Sequence, residues 1–159
     1  MFKKYYLAYG SNLNLEQMNY RCWTANPLGV TLLKDYRLVY KGKADFFAYL
    51  TIERCKGYKV PLGVFEVLPF DMFSLDNYEG YPTIYKKTYI PLEVDGKKKK
   101  AFIYIMNENF TYHLPSRRYI ETCEKGYNHF GFDKTILDIA LRDTFDEIDF
   151  RRIRKKENK

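Results

Sequence analysis

The spacing of apolar and polar positions changes along the chain, from short strand-like runs in the first two thirds to helical periodicity in the last third. Residues 5–9, Tyr-Tyr-Leu-Ala-Tyr, form a bulky apolar run that reads as a buried strand stopped by Gly10 and Ser11. Asn14 with Gln17 three residues on, then Met18 and Tyr20, follows the capping-box pattern and predicts a helix from about residue 14. Strands are expected over 36–40 and 46–53, the latter ending before a turn at Lys56-Gly57, with 60–68 pairing back onto it. Pro61 and Gly63 inside that last run call for an edge, a bulge or a barrel corner, and so for curvature. Pro69 opens a short helix carrying Met72, Phe73 and Leu75, with Gly80 as its stop signal and Glu79 near its end. Residues 84–94 and 101–106 flank Asp95-Gly96, a strong two-residue hairpin signal. Pro115-Ser116 then starts a helix running to about residue 125, and Asp133 caps another carrying Ile136, Leu137, Ala140, Leu141 and Ile148. The sum is an α+β chain with a curved, barrel-like antiparallel sheet and several helices. At 159 residues, with neither repeat nor low-complexity linker, it is expected to form one domain over 1–150 and a basic tail over 151–159.

Composition changes this picture in one respect. Rings make up 18% of the chain, with 16 Tyr and 12 Phe, so hydroxyl-bearing aromatic surface must line the interior or a cleft. The net charge of +7 suggests nucleic acid until it is located. Lys97 to Lys100 carry +4 and the segment 151–159 a net +5, which leaves −2 for everything else. Basicity confined to a hairpin and a tail argues against a nucleic-acid groove and reads as a solvated edge and tail. Cys22, Cys55 and Cys123 are far apart and unpaired in pattern, and the two histidines, His113 and His129, have no acidic companions. No metal site, disulfide framework or Cys-His hydrolase is expected. The opening Met1-Phe2-Lys3-Lys4 runs directly into the first strand, so neither secretion nor membrane spanning is expected and the cytoplasm is the default.

Two segments carry candidate chemistry. A strand turning tightly through Gly10-Ser11-Asn12 into a helix gathers backbone N–H groups that can hold a carboxylate or an oxyanion; the same residues also suit an ordinary strand-to-helix turn. Glu79 lies among Tyr78, Tyr81 and Tyr85, where burial would raise its pKa toward neutrality and suit it to proton transfer; an exposed helix-end glutamate is the plain alternative. This setting is unusually aromatic.

Tyr9-Gly10-Ser11-Asn12-Leu13 together with Asp76-Asn77-Tyr78-Glu79-Gly80 resembles the γ-glutamylcyclotransferase family and its close branch acting on γ-glutamylamines. Tyr85, Tyr104, and Pro115-Ser116-Arg117-Arg118-Tyr119-Ile120 with Gly126 are similar to the family's later motifs, so the resemblance spans about residues 5–132. It implies a small mixed β-barrel with flanking helices. It also implies conversion of a γ-glutamyl amino acid or γ-glutamylamine to 5-oxoproline and the free amine, with no cofactor. Glu79 would accept the α-ammonium proton and return it to the departing nitrogen, while N–H groups of the Tyr9 to Leu13 loop hold the α-carboxylate or the oxyanion. Tyr85, Tyr104 and Tyr119 match pocket-lining positions, although strand alternation could place Tyr104 in the core and Tyr119 could simply pack its helix on the sheet. A noncatalytic ligand-binding module of the same fold, and an adaptor for RNA or another anionic partner, are the other classes. The leaving amine and the oligomeric state are open at this level.

Overall fold

A six-stranded sheet and four helices make up the computed structural model, which describes residues 2–43 and 47–159. The strands are β1 Lys4–Ala8, β2 Asn26–Lys43, β3 Phe47–Val67, β4 Tyr85–Val94, β5 Lys97–Met106 and β6 Thr111–Tyr112. The helices are α1 Leu15–Arg21, α2 Pro69–Glu79, α3 Arg117–Phe130 and α4 Thr135–Glu157. Spatial order is β4-β5-β1-β3-β2-β6, and the sheet curls into a half-barrel. It is mixed rather than antiparallel throughout: Tyr5 and Tyr6 of β1 run parallel to Ala101 and Phe102 of β5. The core lies between the curled strands and the helices, built on Leu7, Tyr40, Leu50, Phe65, Phe102 and Tyr127.

The longest feature is one the pattern of residues conceals. Residues 47–54 and 59–66 do not pair with each other; both halves of β3 pair with β2 in a long ribbon. Phe46, the expected first residue of this strand, lies outside the described residues. Lys56-Gly57 is therefore a bulge and not a reversal. There Asp35 alone faces residues 55–58, with positive φ of 63° at Asp35 and 89° at Gly57, and Asp35 Oδ1 accepts the Gly57 N–H at 3.0 Å. A short acidic side chain tolerates this backbone and supplies the acceptor that the interrupted ladder lacks. The expected curvature at Pro61 also has a cause: β1 reaches only to Ala8 opposite Gly63, so at Pro61 the strand has β2 on one side and no strand on the other.

Local turn and cap chemistry is largely as expected. Asn14 Oδ1 accepts the Gln17 N–H, and Gly80, with φ of 66°, ends α2. Asp95 and Gly96, with φ of 51° and 76°, make the two-residue turn between the paired Val94 and Lys97. Ser116 caps α3, which continues to Phe130, five residues past its expected end, before Gly131 stops it. Asp133 Oδ1 accepts the Thr135 N–H at 3.0 Å, a bond that holds its carboxyl below the ordinary range. The basic segment 151–159, expected as a tail, is the exposed end of α4, helical through Glu157. Since α4 packs on β2 and β6 while Lys97 to Lys100 lie on β5, the two basic segments occupy opposite sides of the strand order.

Helix α4 is fastened to the ribbon by polar contacts. Arg37 of β2 bridges Glu53 at 2.7 Å and Glu147 at 3.0 Å, and Thr144 Oγ1 accepts the Tyr40 N–H at 2.9 Å. Helix α3 instead lies directly on the loop after β1. A Cβ at Gly126 would stand 2.5 Å from the Asn14 nitrogen and 2.6 Å from the Leu13 carbonyl carbon, so glycine is what permits this approach. Gly126→Ala is expected to force α3 off the loop and lower stability by about 1–3 kcal/mol, read as a fall in the urea midpoint; an unchanged midpoint would refute the close packing.

Candidate active site

The site begins with a backbone position left without a neighbouring strand. Because the Tyr40 N–H goes to Thr144, the Tyr40–Leu50 pair of β2 and β3 is of the type that exchanges no ladder bonds, and Leu50 turns its N–H and C=O away from β2. On that side the Tyr119 hydroxyl accepts the Leu50 N–H at 3.1 Å, and the Tyr85 hydroxyl donates to the Leu50 carbonyl at 2.8 Å. One residue on, the Met106 N–H of β5 donates to Thr51 Oγ1 at 2.9 Å. Side chains rather than a strand ladder thus bridge the mouth of the half-barrel. The gap they span is a cavity of about 100 Å³.

The turn after β1 forms one wall. Ser11–Leu13 is a 3₁₀ turn closed by the Leu13 N–H on the Gly10 carbonyl at 3.0 Å, so the N–H groups of Ser11 and Asn12 precede its first internal bond. Gly10 fits closely: a Cβ there would be 3.3 Å from the Tyr119 hydroxyl. The opposite wall is the end of α2, where Glu79 enters the cavity and Oε1 accepts from Asn12 Nδ2 at 3.1 Å. Burial among the rings pushes the Glu79 carboxyl up to about 7, against the attraction of Arg21 and the Asn12 hydrogen bond, which favour the anion.

Of the expected site residues, Glu79, Tyr9, Gly10, Ser11, Asn12, Tyr85, Tyr104 and Tyr119 come together around this cavity. Leu13 does not. It is fully buried in the core with its side chain toward Gly63 and Gly126, because the 3₁₀ turn rotates it away from the cavity and under α3. Tyr81 also leaves the aromatic setting proposed for Glu79: beyond the αL turn at Gly80 its ring is exposed and lies 4.6 Å from Lys87 Nζ. Both plain alternatives for the tyrosines hold in part, since Tyr104 and Tyr119 are structural and cavity-lining at once.

The hydroxyls are committed in a consistent sense. Tyr9 donates to the Tyr104 carbonyl, Tyr104 donates to Asp76 Oδ1, and Tyr85 donates to Leu50. Three cavity tyrosines therefore spend their protons on the protein, so what their oxygens have left to offer is lone pairs. Burial raises the pKa of all three, which keeps them neutral hydrogen-bonding groups. Asp76 in turn is paired with Lys87 at 2.8 Å. Sequence reasoning missed Tyr6, Tyr49, Leu50 and Ile84 of the lining, as well as Arg21, Asp76 and Lys87 behind it. The Gln17–Arg21 spacing of one helical turn was the available signal for Arg21, whose guanidinium donates to Gln17 Oε1 and Asn12 Oδ1.

Residues 6–124 match the family described as Gamma-glutamyl cyclotransferase, AIG2-like. The chain belongs to this family. Among solved structures, one named Gamma-glutamyl cyclotransferase is 22% identical with a TM-score of 0.72, covering 89% of this chain and 99% of that one. An uncharacterized protein from Homo sapiens is 23% identical with a TM-score of 0.71, over 87% and 98% of the two chains. An AIG2-like protein from Mus musculus is 19% identical with a TM-score of 0.54, over 76% and 84%. These likenesses show the gamma-glutamyl cyclotransferase fold. No curated protein sequence matches significantly. Among the described residues no helix is long and apolar enough to cross a membrane.

The raised Glu79 pKa has a stability consequence with a definite sign. Between about pH 4.5 and 7 the folded protein holds a proton that the unfolded chain releases, so this group's contribution to stability declines as pH rises through that window. Glu79→Gln removes the dependence. The urea-derived stability of E79Q relative to wild type is expected to rise by about 3 kcal/mol between pH 4 and pH 8, and a pH-independent difference would contradict the raised value.

Proposed function

We propose that the chain converts a γ-glutamyl amino acid or γ-glutamylamine to 5-oxoproline and the free amine, with Glu79 carrying protons. The observation that carries this reading is a single cavity carboxylate pushed up to about 7 opposite the turn bearing the Ser11 and Asn12 N–H groups. Family membership supports it. The reaction asks little else of a protein, because nucleophile and electrophile belong to one molecule, and well-oriented intramolecular attack can reach effective molarities of roughly 10⁵–10⁸ M.

In this mechanism ionised Glu79 takes a proton from the substrate α-ammonium. The freed lone pair attacks the γ-carbonyl carbon, a C–N bond forms, and the carbonyl electrons move to oxygen. The Ser11 and Asn12 N–H groups hold either that oxyanion or the α-carboxylate. Collapse breaks the bond to the departing nitrogen, which leaves protonated. Over the cycle two protons pass from the α-nitrogen to the leaving nitrogen, and Glu79 returns to its starting state with no redox partner or cofactor consumed. The Tyr85 and Tyr104 hydroxyls, whose protons go to the protein, can still accept from an ammonium group. In this reading the glutamyl portion enters the cavity beside Glu79 and the amine portion stays toward solvent. The three free cysteines fit a reducing cytoplasmic setting.

Incubation with a panel of γ-glutamyl amino acids, γ-glutamylamines and glutathione, followed by mass spectrometry, tests the proposal. Wild type is expected to release 5-oxoproline from at least one member, and Glu79→Gln to lose about 10²–10⁴-fold in kcat with substrate binding retained. Full activity of E79Q would remove Glu79 from the mechanism. Saturable calorimetric binding with silence across the panel would select a noncatalytic ligand-binding module.

A further inference from the structure

Asn12 has only one amide orientation compatible with its neighbours. Its Oδ1 faces Arg21, and a guanidinium can only donate, so Nδ2 must face the other way. There it gives one hydrogen to the Tyr6 hydroxyl at 2.9 Å and the other to Glu79 Oε1 at 3.1 Å. Arg21 is held from several sides. Its guanidinium reaches Ser11 Oγ at 3.4 Å, donates to Gln17 Oε1, and lies 3.3 Å from the centroid of the Tyr78 ring. It is also the last residue of α1, where the helix dipole favours a cation. Glu79 Oε1 is thus occupied by a donor, whereas Oε2 accepts no hydrogen bond among the described residues and is not one of their sealed, unpartnered polar atoms.

We propose that Arg21 is a positioning residue for Glu79: by fixing the Asn12 amide it keeps a donor on Oε1 and leaves Oε2 as the oxygen that takes and returns the substrate proton. The word substrate rests on the function proposed above; the effect on the carboxyl does not. Without Arg21 the Asn12 side chain is free to turn its Oδ1 toward Glu79, an arrangement that favours the protonated acid as donor, and the nearby positive charge is lost as well. Both changes act in the same direction, toward a proton held more tightly. The other groups facing Glu79 are Tyr6 from β1, Tyr9 just after it, Tyr78 from α2, Tyr85 from β4 and Tyr104 from β5. They are neutral at working pH, and Asp76, one turn back on α2, is paired with Lys87. In an Arg21 variant these tyrosines stay neutral and the Asp76–Lys87 pair is kept, while Tyr78 loses the guanidinium over its ring.

The test is the titration of the Glu79 carboxyl carbon by NMR in protein labelled with ¹³C-glutamate, assigned by the signal lost in Glu79→Gln. Arg21→Met and Arg21→Gln are expected to raise the midpoint by about one pH unit or more above wild type. Arg21→Lys keeps the charge but not the planar fork that serves Ser11, Asn12 and Gln17 together, and should fall between. In any variant that turns over, the acid limb of the kcat/KM profile should move with the midpoint, with kcat affected more than KM. A midpoint unchanged in the neutral variants overturns the proposal, and if neither folds, a wild-type midpoint in Arg21→Lys overturns it. Absence of 5-oxoproline from wild type would defeat the proposed function and leave this titration difference standing as its own result.

Discussion

Everything at the site depends on how the Leu50 peptide groups are satisfied. They point away from β2 into a place where a closed barrel would have another strand, and a buried N–H and C=O left unpaired there would cost several kcal/mol together. Tyr85 and Tyr119 meet them with hydroxyls. A hydroxyl on a long ring bridges a wider gap than a neighbouring backbone does, so the sheet stays open by one side chain's reach. That opening is the cavity. The same tyrosines that complete the sheet consequently line the site, which makes fold and chemistry inseparable at these positions.

Glu79 then sits at a balance of opposing effects. Desolvation by the surrounding rings favours the neutral acid, and Arg21 with Asn12 favours the anion. With desolvation alone the group would hold its proton through neutral pH. With full solvation it would be ionised and too weak a base to accept one. The intermediate result suits a group that must both take and return a proton. The C-terminal end of α2 adds to the cost of the anion, since the helix dipole is unfavourable to a carboxylate there.

What could be read from the residues was mainly local. Asn14, Pro69, Gly80, Asp95-Gly96 and Ser116 announce caps and turns because their side chains or backbone freedom act within a few residues. Glu79 stood out for its aromatic company, and the Gly10-Ser11-Asn12 turn for its small residues. Most of the failures share one cause, which is that long-range pairing decided them. Lys56-Gly57 has the chemistry of a turn, and only the continuous partner strand β2 converts it to a bulge. Residues 26–35 carry Pro27 and Gly29 and are exposed along much of their length, so no alternation marked them as strand. Leu50 is unremarkable in sequence; its role follows from where β1 ends and where Thr144 of α4 sits. Leu13 was counted with its motif neighbours, but a 3₁₀ turn sends successive side chains in different directions, and its own points into the core. The value of Gly126 likewise appears only once α3 lies against the loop.

In the proposed function one desolvated carboxylate, Glu79, poised near neutrality, performs the proton transfers of ring closure. The most direct test is the dependence of kcat/KM on pH for 5-oxoproline formation by the wild-type protein. With Glu79 as the base, kcat/KM rises through about pH 7 as the carboxyl ionises and falls at higher pH with loss of the substrate's ammonium proton. A profile whose acid limb lies near pH 4.5, where an ordinary glutamate titrates, would contradict it.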